Sequence, residues 1–301
     1  MKYASAAALD RAITDILLRQ VGGDARRYQQ LRREVAFERV LARLVAEDPE
    51  MWLLKGGVAL DYRLREARST LDLDLSSSVD ITAFQEKLVR ATAIDLGDFF
   101  DVQLSGEPSR PVDEVETYRF GLDVRLNNRT FMKVSIDVGF ADPWLGDADI
   151  LETSEVLAFA GVAPVTVKAI SVEQHIAEKV HAYTRSYGSR QNSRVKDLVD
   201  LVLLSGYRPI AMAELGSVLE AVFRTRATHE FPKSFPLPPD NWRDAYRKLS
   251  EPLPITTDID QAHISVAAFL DPLTVKCIDE NWWDPTKRLW VREKPAAFTG
   301  Y

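Results

Sequence analysis

The chain of 301 residues contains one cysteine, Cys277, so it can form no internal disulfide and no thiolate cage for zinc. Its four histidines, His175, His181, His229 and His263, fall in no HExxH or other zinc spacing. With both soft ligands scarce, oxygen donors are the expectation for any metal, and hence Mg²⁺ or Mn²⁺. No run of eighteen apolar residues and no secretory leader is present, which sets the expected location in the cytoplasm, away from any membrane. Positive charge is also in short supply: 38 Lys and Arg face 45 Asp and Glu, a net charge of −7. The molecule as a whole therefore has no attraction for nucleic acid, and a polyanion must be met by a local basic patch. What is present, 46% hydrophobic and 28% charged residues, is the ordinary balance of a folded protein with ample interior.

Apolar spacing predicts helices over 5–20, 28–47, 58–64 and 79–96, the last with Asp80 or Thr82 able to cap it. Trp52-Leu53-Leu54 reads as a short buried strand or helix end. Thr70–Ser76 alternates Leu71, Leu73 and Leu75 against polar residues, the period of a half-buried strand. Further strands are expected over 101–104, 116–126 and 130–140, the last two joined as a hairpin at Asn127-Asn128-Arg129, because asparagine tolerates positive φ. Val162–Val167 reads as extended. From Ser171 onward the pattern is helical (171–186, 195–205, 210–226, 240–249, 258–270), interrupted by the proline-rich connection Phe231–Pro239. The expected division is a mixed α+β domain over 1–165 and a mostly helical domain over 166–301. The aromatic tail Trp282-Trp283-Asp284-Pro285 to Trp290 reads as a cover over the core or as a ligand platform.

Chemistry concentrates in a few places. Lys55-Gly56-Gly57 opens a helix where backbone N–H groups can approach a phosphate, and Asp72-Leu73-Asp74 follows fifteen residues after Gly57. Two carboxylates on one strand face, with Cα atoms roughly 6.7 Å apart, repel each other unless a cation joins them. Leu71, Leu73 and Leu75 are expected on the opposite, buried face. Asp137 interrupts the β-branched run Val134–Val138 and needs a partner there. It either completes a three-carboxylate metal site or forms a structural ion pair with Lys133 or Arg125. Ser171 and Gln174 make a capping-box pattern, and Lys179 lies on or beside the apolar stripe of that helix. Asp197 and Asp200 sit in an otherwise apolar helix. A Lys179–aspartate pair locking two helices and a lysine holding a triphosphate are both open, and compatible. Arg185, Arg190, Arg194 and Lys196 form a stretch free of acids, and a second basic stretch spans 224–248. Together they offer a track for an RNA backbone, read by shape because no RRM or KH signature is present.

The segments Leu54–Gly57, Arg68–Asp74, Glu178–Ala182 and Lys196–Leu201, in this order, resemble the AbiEii/AbiGii family of nucleotidyltransferase toxins in the DNA polymerase β-like superfamily, and among them the MenT-type toxins most. The resemblance covers roughly residues 50–205 and implies a bilobed fold, a polymerase β-like nucleotidyltransferase domain (a mixed sheet flanked by helices) with a helical C-terminal domain completing the cleft. It implies that Gly56 and Gly57 cradle phosphate with Thr70 or Ser69. It further implies metal-binding Asp72 and Asp74, Asp137 at the third carboxylate position, and Lys55, Lys179, Asp197 and Asp200 as further active-site residues. Leu71 stands where MenT-type relatives typically carry lysine, so nucleotide contacts are expected to differ. A cognate antitoxin and a tRNA acceptor are implied in the same way.

The leading expectation is thus a metal-dependent enzyme moving an NMP from an NTP to an acceptor hydroxyl, at the 3′ end of tRNA, as the toxin of a toxin–antitoxin pair. Two other readings use the same residues. A DxD glycosyltransferase also needs a carboxylate-held metal, but no leading βαβ nucleotide domain is visible. A non-catalytic NTP- or RNA-binding module is the third.

Overall fold

The computed structural model describes residues 1–65, 70–110, 117–140, 142–186, 194–274 and 280–296. Ser69 and Arg190, both candidate site residues, lie outside the described residues. The chain divides into two compact units. The first holds the described residues through Ala169 except Leu145–Asp147, and the second holds those three with the described residues from Ile170 onward.

The first unit opens with α1 (Ala6–Val21) and α2 (Ala25–Glu47). The Ser5 hydroxyl accepts from the Ala8 N–H to start α1, and Asp24 accepts from the N–H groups of Arg26 and Arg27 to start α2. Then follow β1 (Trp52–Lys55), α3 (Gly56–Leu64), β2 (Leu73–Ser77) and α4 (Ile81–Thr92), the last capped by Asp80. The remaining strands are β3 (Phe100–Leu104), β4 (Thr117–Leu126), β5 (Arg129–Gly139), β6 (Asp149–Glu152) and β7 (Thr166–Ala169). They form a mixed seven-stranded sheet in the order β3-β4-β5-β2-β1-β7-β6, with β2 parallel to β5 and β1 parallel to β7.

One face of this sheet carries Leu73, Leu75, Phe120, Leu122, Val124, Ile136 and Val138, all buried in a core shared with Leu9, Ile13 and Leu17 of α1, Val35 and Leu41 of α2, and Phe84 and Leu88 of α4. Phe84 packs on Phe120 at a ring separation of 5.5 Å. Each such side chain contributes about 1.5–3 kcal/mol relative to exposure. The β4–β5 turn has both Asn127 (φ 53°) and Asn128 (φ 58°) left-handed, the two-residue hairpin geometry that asparagine permits.

Two expectations change at β2. The strand begins at Leu73 rather than Thr70, and Leu71 is 63% exposed instead of joining the buried face. On the β1 side the ladder ends at Lys55 opposite Asp74, because Gly56 (φ +65°) turns the chain into α3. Upstream of Asp74 that neighbour is gone, so Asp72 sits just before the strand.

In the second unit lie α5 (Val172–Thr184), α6 (Val195–Ser205), β8 (Ile210–Ala211), α7 (Met212–Arg226), α8 (Arg243–Ser250) and α9 (Ile259–Leu270). The chain then forms the hairpin of β9 (Trp282–Asp284) and β10 (Leu289–Val291), and β8 pairs with β9. Trp283 is wholly buried, its indole donating to the Ser205 carbonyl at 2.6 Å, and Trp290 stacks on Phe269. The aromatic tail is therefore a cover over the helical core. No helix among the described residues is long and apolar enough to cross a membrane.

Candidate active site

The face of the large sheet opposite its core carries one row of charge across four strands. Lys55 of β1 pairs in register with Asp74 of β2, Asp74 with Asp137 of β5, and Asp137 with Arg119 of β4. The signs run plus, minus, minus, plus. Two carboxylates on neighbouring strands repel, and each has a cation on its outer side.

The glycine pair shapes the near end of this row. A Cβ on Gly56 would lie 1.9 Å from the Asp74 carboxylate, and one on Gly57 would lie 2.8 Å from the Thr70 side chain. Asp74 and Thr70 thus lean directly over the start of α3, which only glycine allows. At the N-cap position Lys55 supplies no side-chain acceptor to the first turn. Arg33 of α2 donates to the Thr70 carbonyl at 3.4 Å, and the Thr70 hydroxyl donates to the Asp72 carbonyl at 3.3 Å. Lys55 Nζ donates to Asp142 Oδ2 at 2.9 Å, in a space that Gly139 leaves open.

At the far end Arg119 grips Asp137 with a two-pronged hydrogen bond, Nε to Oδ1 at 2.7 Å and Nη2 to Oδ2 at 2.6 Å. The same Nη2 lies 3.7 Å from Asp72 Oδ2. The bond to Asp137 is the main cause that raises the guanidinium pKa further, with Asp72 and Asp74 adding to it. The ion pair expected of Asp137 is therefore made with Arg119. Lys133 stands opposite Asp123, and Arg125 donates to the Asn128 carbonyl. Arg119 and Asp142 were not among the sequence candidates. Arg119 is hidden in sequence because it faces Asp137 only through a bulge between Val124 and Arg125, which shifts the hairpin register by one residue.

Among the described residues no group of three or more His, Cys, Asp or Glu side chains is gathered so as to hold a metal. The donor set nonetheless fits a hard cation: Asp72 and Asp74 are oxygen donors close in sequence, and Asp72 is part exposed.

In the second unit Lys179 of α5 bridges two acids of α6, at 3.1 Å from Asp197 Oδ1 and 2.8 Å from Asp200 Oδ2. Both aspartates are buried, and Arg194 lies 3.9 Å from Asp197 Oδ2. The helix bearing Lys179 starts as its sequence predicts, with the Ser171 hydroxyl accepting from the Gln174 N–H. Arg185 is half-buried at the end of α5, and Lys196 is exposed on α6. In the second basic stretch Arg226, Arg243 and Arg247 are each paired with an acid, Glu178, Asp260 and Asp244 respectively.

A family model described as the nucleotidyl transferase AbiEii toxin of type IV toxin–antitoxin systems matches residues 39–270, more than half of the chain. No curated protein matches. Among solved structures, MenT4, a nucleotidyltransferase toxin from Mycobacterium tuberculosis H37Rv, is 17% identical over 89% of this chain and 91% of that one, with a TM-score of 0.60. JHP933 from Helicobacter pylori is 15% identical over 82% of this chain and 93% of that one, with a TM-score of 0.46. The first of these shows a shared α+β fold. With the family match spanning β2, β5 and α6, the chain belongs to the AbiEii family of nucleotidyltransferase toxins of type IV toxin–antitoxin systems, and it is a nucleotidyltransferase.

Proposed function

We propose that this nucleotidyltransferase is metal-dependent, that it moves an NMP from an NTP to an acceptor hydroxyl at the 3′ end of a tRNA, and that it acts in the cytoplasm. The observation that carries the reading is the placement of the Asp74 carboxylate over Gly56, in the space that the missing side chain leaves at the start of α3. A cation site and an anion site are thereby adjoined, as a metal-chelated triphosphate requires.

Asp72 and Asp74 would hold Mg²⁺ or Mn²⁺, with Asp137 beside them in the row. Bound there, a divalent cation supplies charge neutralisation at the α-phosphate and lowers the pKa of an attacking hydroxyl. The N–H groups at the start of α3, with Gly56 and Gly57, bind phosphate oxygens, and Lys55 adds a cation beside them. Thr70, whose carbonyl accepts from Arg33, borders these groups, and phosphate binding is assigned to Ser69 by the resemblance alone. In the transfer, the acceptor oxygen bonds to the α-phosphorus as the bond from that phosphorus to the bridging oxygen breaks. Pyrophosphate leaves and the hydroxyl proton passes to water. In the second unit Lys179, held by Asp197 and Asp200, is assigned to the charge on the leaving pyrophosphate. The family implies an antitoxin partner and an NTP substrate, which sets aside a nucleotide-sugar donor. RNA contacts are assigned to Arg185, Arg190, Arg194 and Lys196, which lie in a stretch of sequence free of acids.

The test is incubation of purified protein with total tRNA, Mg²⁺ and each labelled NTP in turn. A labelled RNA band is expected, and Asp72→Ala should abolish it while leaving the far-UV circular dichroism spectrum unchanged. Undiminished labelling by that variant refutes the assignment. Tight NTP binding without pyrophosphate release would mark a non-catalytic module instead.

A further inference from the structure

We propose that Asp137 is not a metal ligand but the anchor that aims Arg119 at the substrate phosphates, a role that rests on the nucleotidyl-transfer reading above and assigns it one more residue. The argument is geometric. Both oxygens of Asp137 accept from one guanidinium in the fork arrangement that planar Arg and carboxylate share, at 2.7 and 2.6 Å. The Asp137 side chain is 13% exposed and that of Arg119 41%. The carboxylate is thus the sheltered partner and the guanidinium the accessible one. Freeing Asp137 for a cation would break the charge-assisted fork and leave the Arg119 guanidinium without its bidentate partner.

The fork uses only part of the guanidinium. Its Nη2 reaches toward Asp72 at 3.7 Å, and among the described residues Nη1 makes no hydrogen bond. A planar cation fixed by a strand neighbour, with donors to spare and next to the metal-binding acids, is suited to hold phosphate oxygens without reorganising. Arg119 contacts substrate in this scheme, and Asp137 acts through Arg119 as a positioning residue.

Two measurements decide the matter. The first is Mn²⁺ titration of the intact protein followed by electron paramagnetic resonance. Asp137→Asn should bind Mn²⁺ within about twofold of the parent, whereas Asp74→Asn should lose at least about tenfold. An equal loss in Asp137→Asn overturns the proposal. The second is kinetics of NMP incorporation together with affinity for an NTP analogue whose α,β-bridge cannot be cleaved. Arg119→Gln and Asp137→Asn should each lower kcat/KM by about 100-fold, and the double variant should be no worse than either, because the two act as a unit. Arg119→Lys should not restore the rate, since an ammonium cannot make the fork. Additive losses, or full activity in Arg119→Gln, overturn it, and thermal melts separate misfolded variants from catalytic ones. Should the parent protein transfer no nucleotide to any RNA, the reading above fails, while the Mn²⁺ titrations still decide whether Asp137 is a ligand or an anchor.

Discussion

Single residues in this protein are constrained chiefly by what leans against them. Gly56 is left-handed and has the Asp74 carboxylate in the space of its missing side chain, so Gly56→Ala meets both a backbone penalty of about 1 kcal/mol and a direct clash. The expected result is a modest fall in melting temperature with a far larger loss of NMP incorporation, because the clash displaces Asp74 itself. Lys179 is constrained by charge. Its removal in Lys179→Met leaves two buried carboxylates on α6 without the cation that bridges them, at a cost of roughly 3 kcal/mol in urea unfolding. The Lys179–aspartate contact was legible from sequence as a lysine beside an apolar stripe and two acids on an apolar helix. The choice between the two aspartates was not, and the structure shows that both take part.

At the scale of elements, the β4–β5 hairpin shows where pattern reading succeeds and stops. Two adjacent asparagines announced the turn, and both have positive φ. Replacing the second, Asn128→Gly, should stabilise the unit by several tenths of a kcal/mol, read as a rise in melting temperature, since glycine adopts that conformation without strain. The site face of the hairpin was harder. A two-residue turn at 127–128 pairs even positions with odd ones, yet the apolar positions of both strands, Phe120 to Leu126 and Val134 to Val138, are even. The extra residue of the bulge reconciles turn and core, and in doing so brings Arg119 rather than Tyr118 opposite Asp137. This parity conflict was present in the sequence and is the signal that could have found Arg119. The short strands β6, β8, β9 and β10, of two to four residues, left no readable period, because neighbours rather than alternation hold them. Leu71 misled for a related reason: alternation continued past the point where the partner strand ends.

For the molecule as a whole, charge balance governs response to conditions. Glu38 and Glu34 of α2 are held against burial, which pushes their pKa values up to about 8 and about 7. Glu38 accepts from the Ser154 hydroxyl and faces Arg39, Arg65 and Glu34. The folded protein therefore keeps protons that the unfolded chain has released, so stability falls as pH rises from about 4.5 to about 8 and levels off beyond. Glu38→Gln, which keeps a polar group against Ser154, should raise stability at pH 8 by at most about 5 kcal/mol, read as a higher melting temperature, with little effect at pH 5. The strand bearing Asp74, the glycine turn and the order of motifs were legible in the chain, whereas the placing of Asp72 on that strand was not borne out. The network on α2 was not legible, because nothing in an amphipathic pattern marks which acids end up inside.

The row on the sheet has one more consequence. Among the described residues of the row and its near end, Lys55 and Arg119 are two positive groups beside four carboxylates, Asp72, Asp74, Asp137 and Asp142, two more negative charges than positive. On the proposed function these carboxylates would repel a bare nucleoside triphosphate, and a divalent ion would offset that repulsion. On the proposed function the donor would come aboard as its chelate, so that raising free divalent ion should tighten nucleotide binding and a chelator should eject the nucleotide before any chemistry begins.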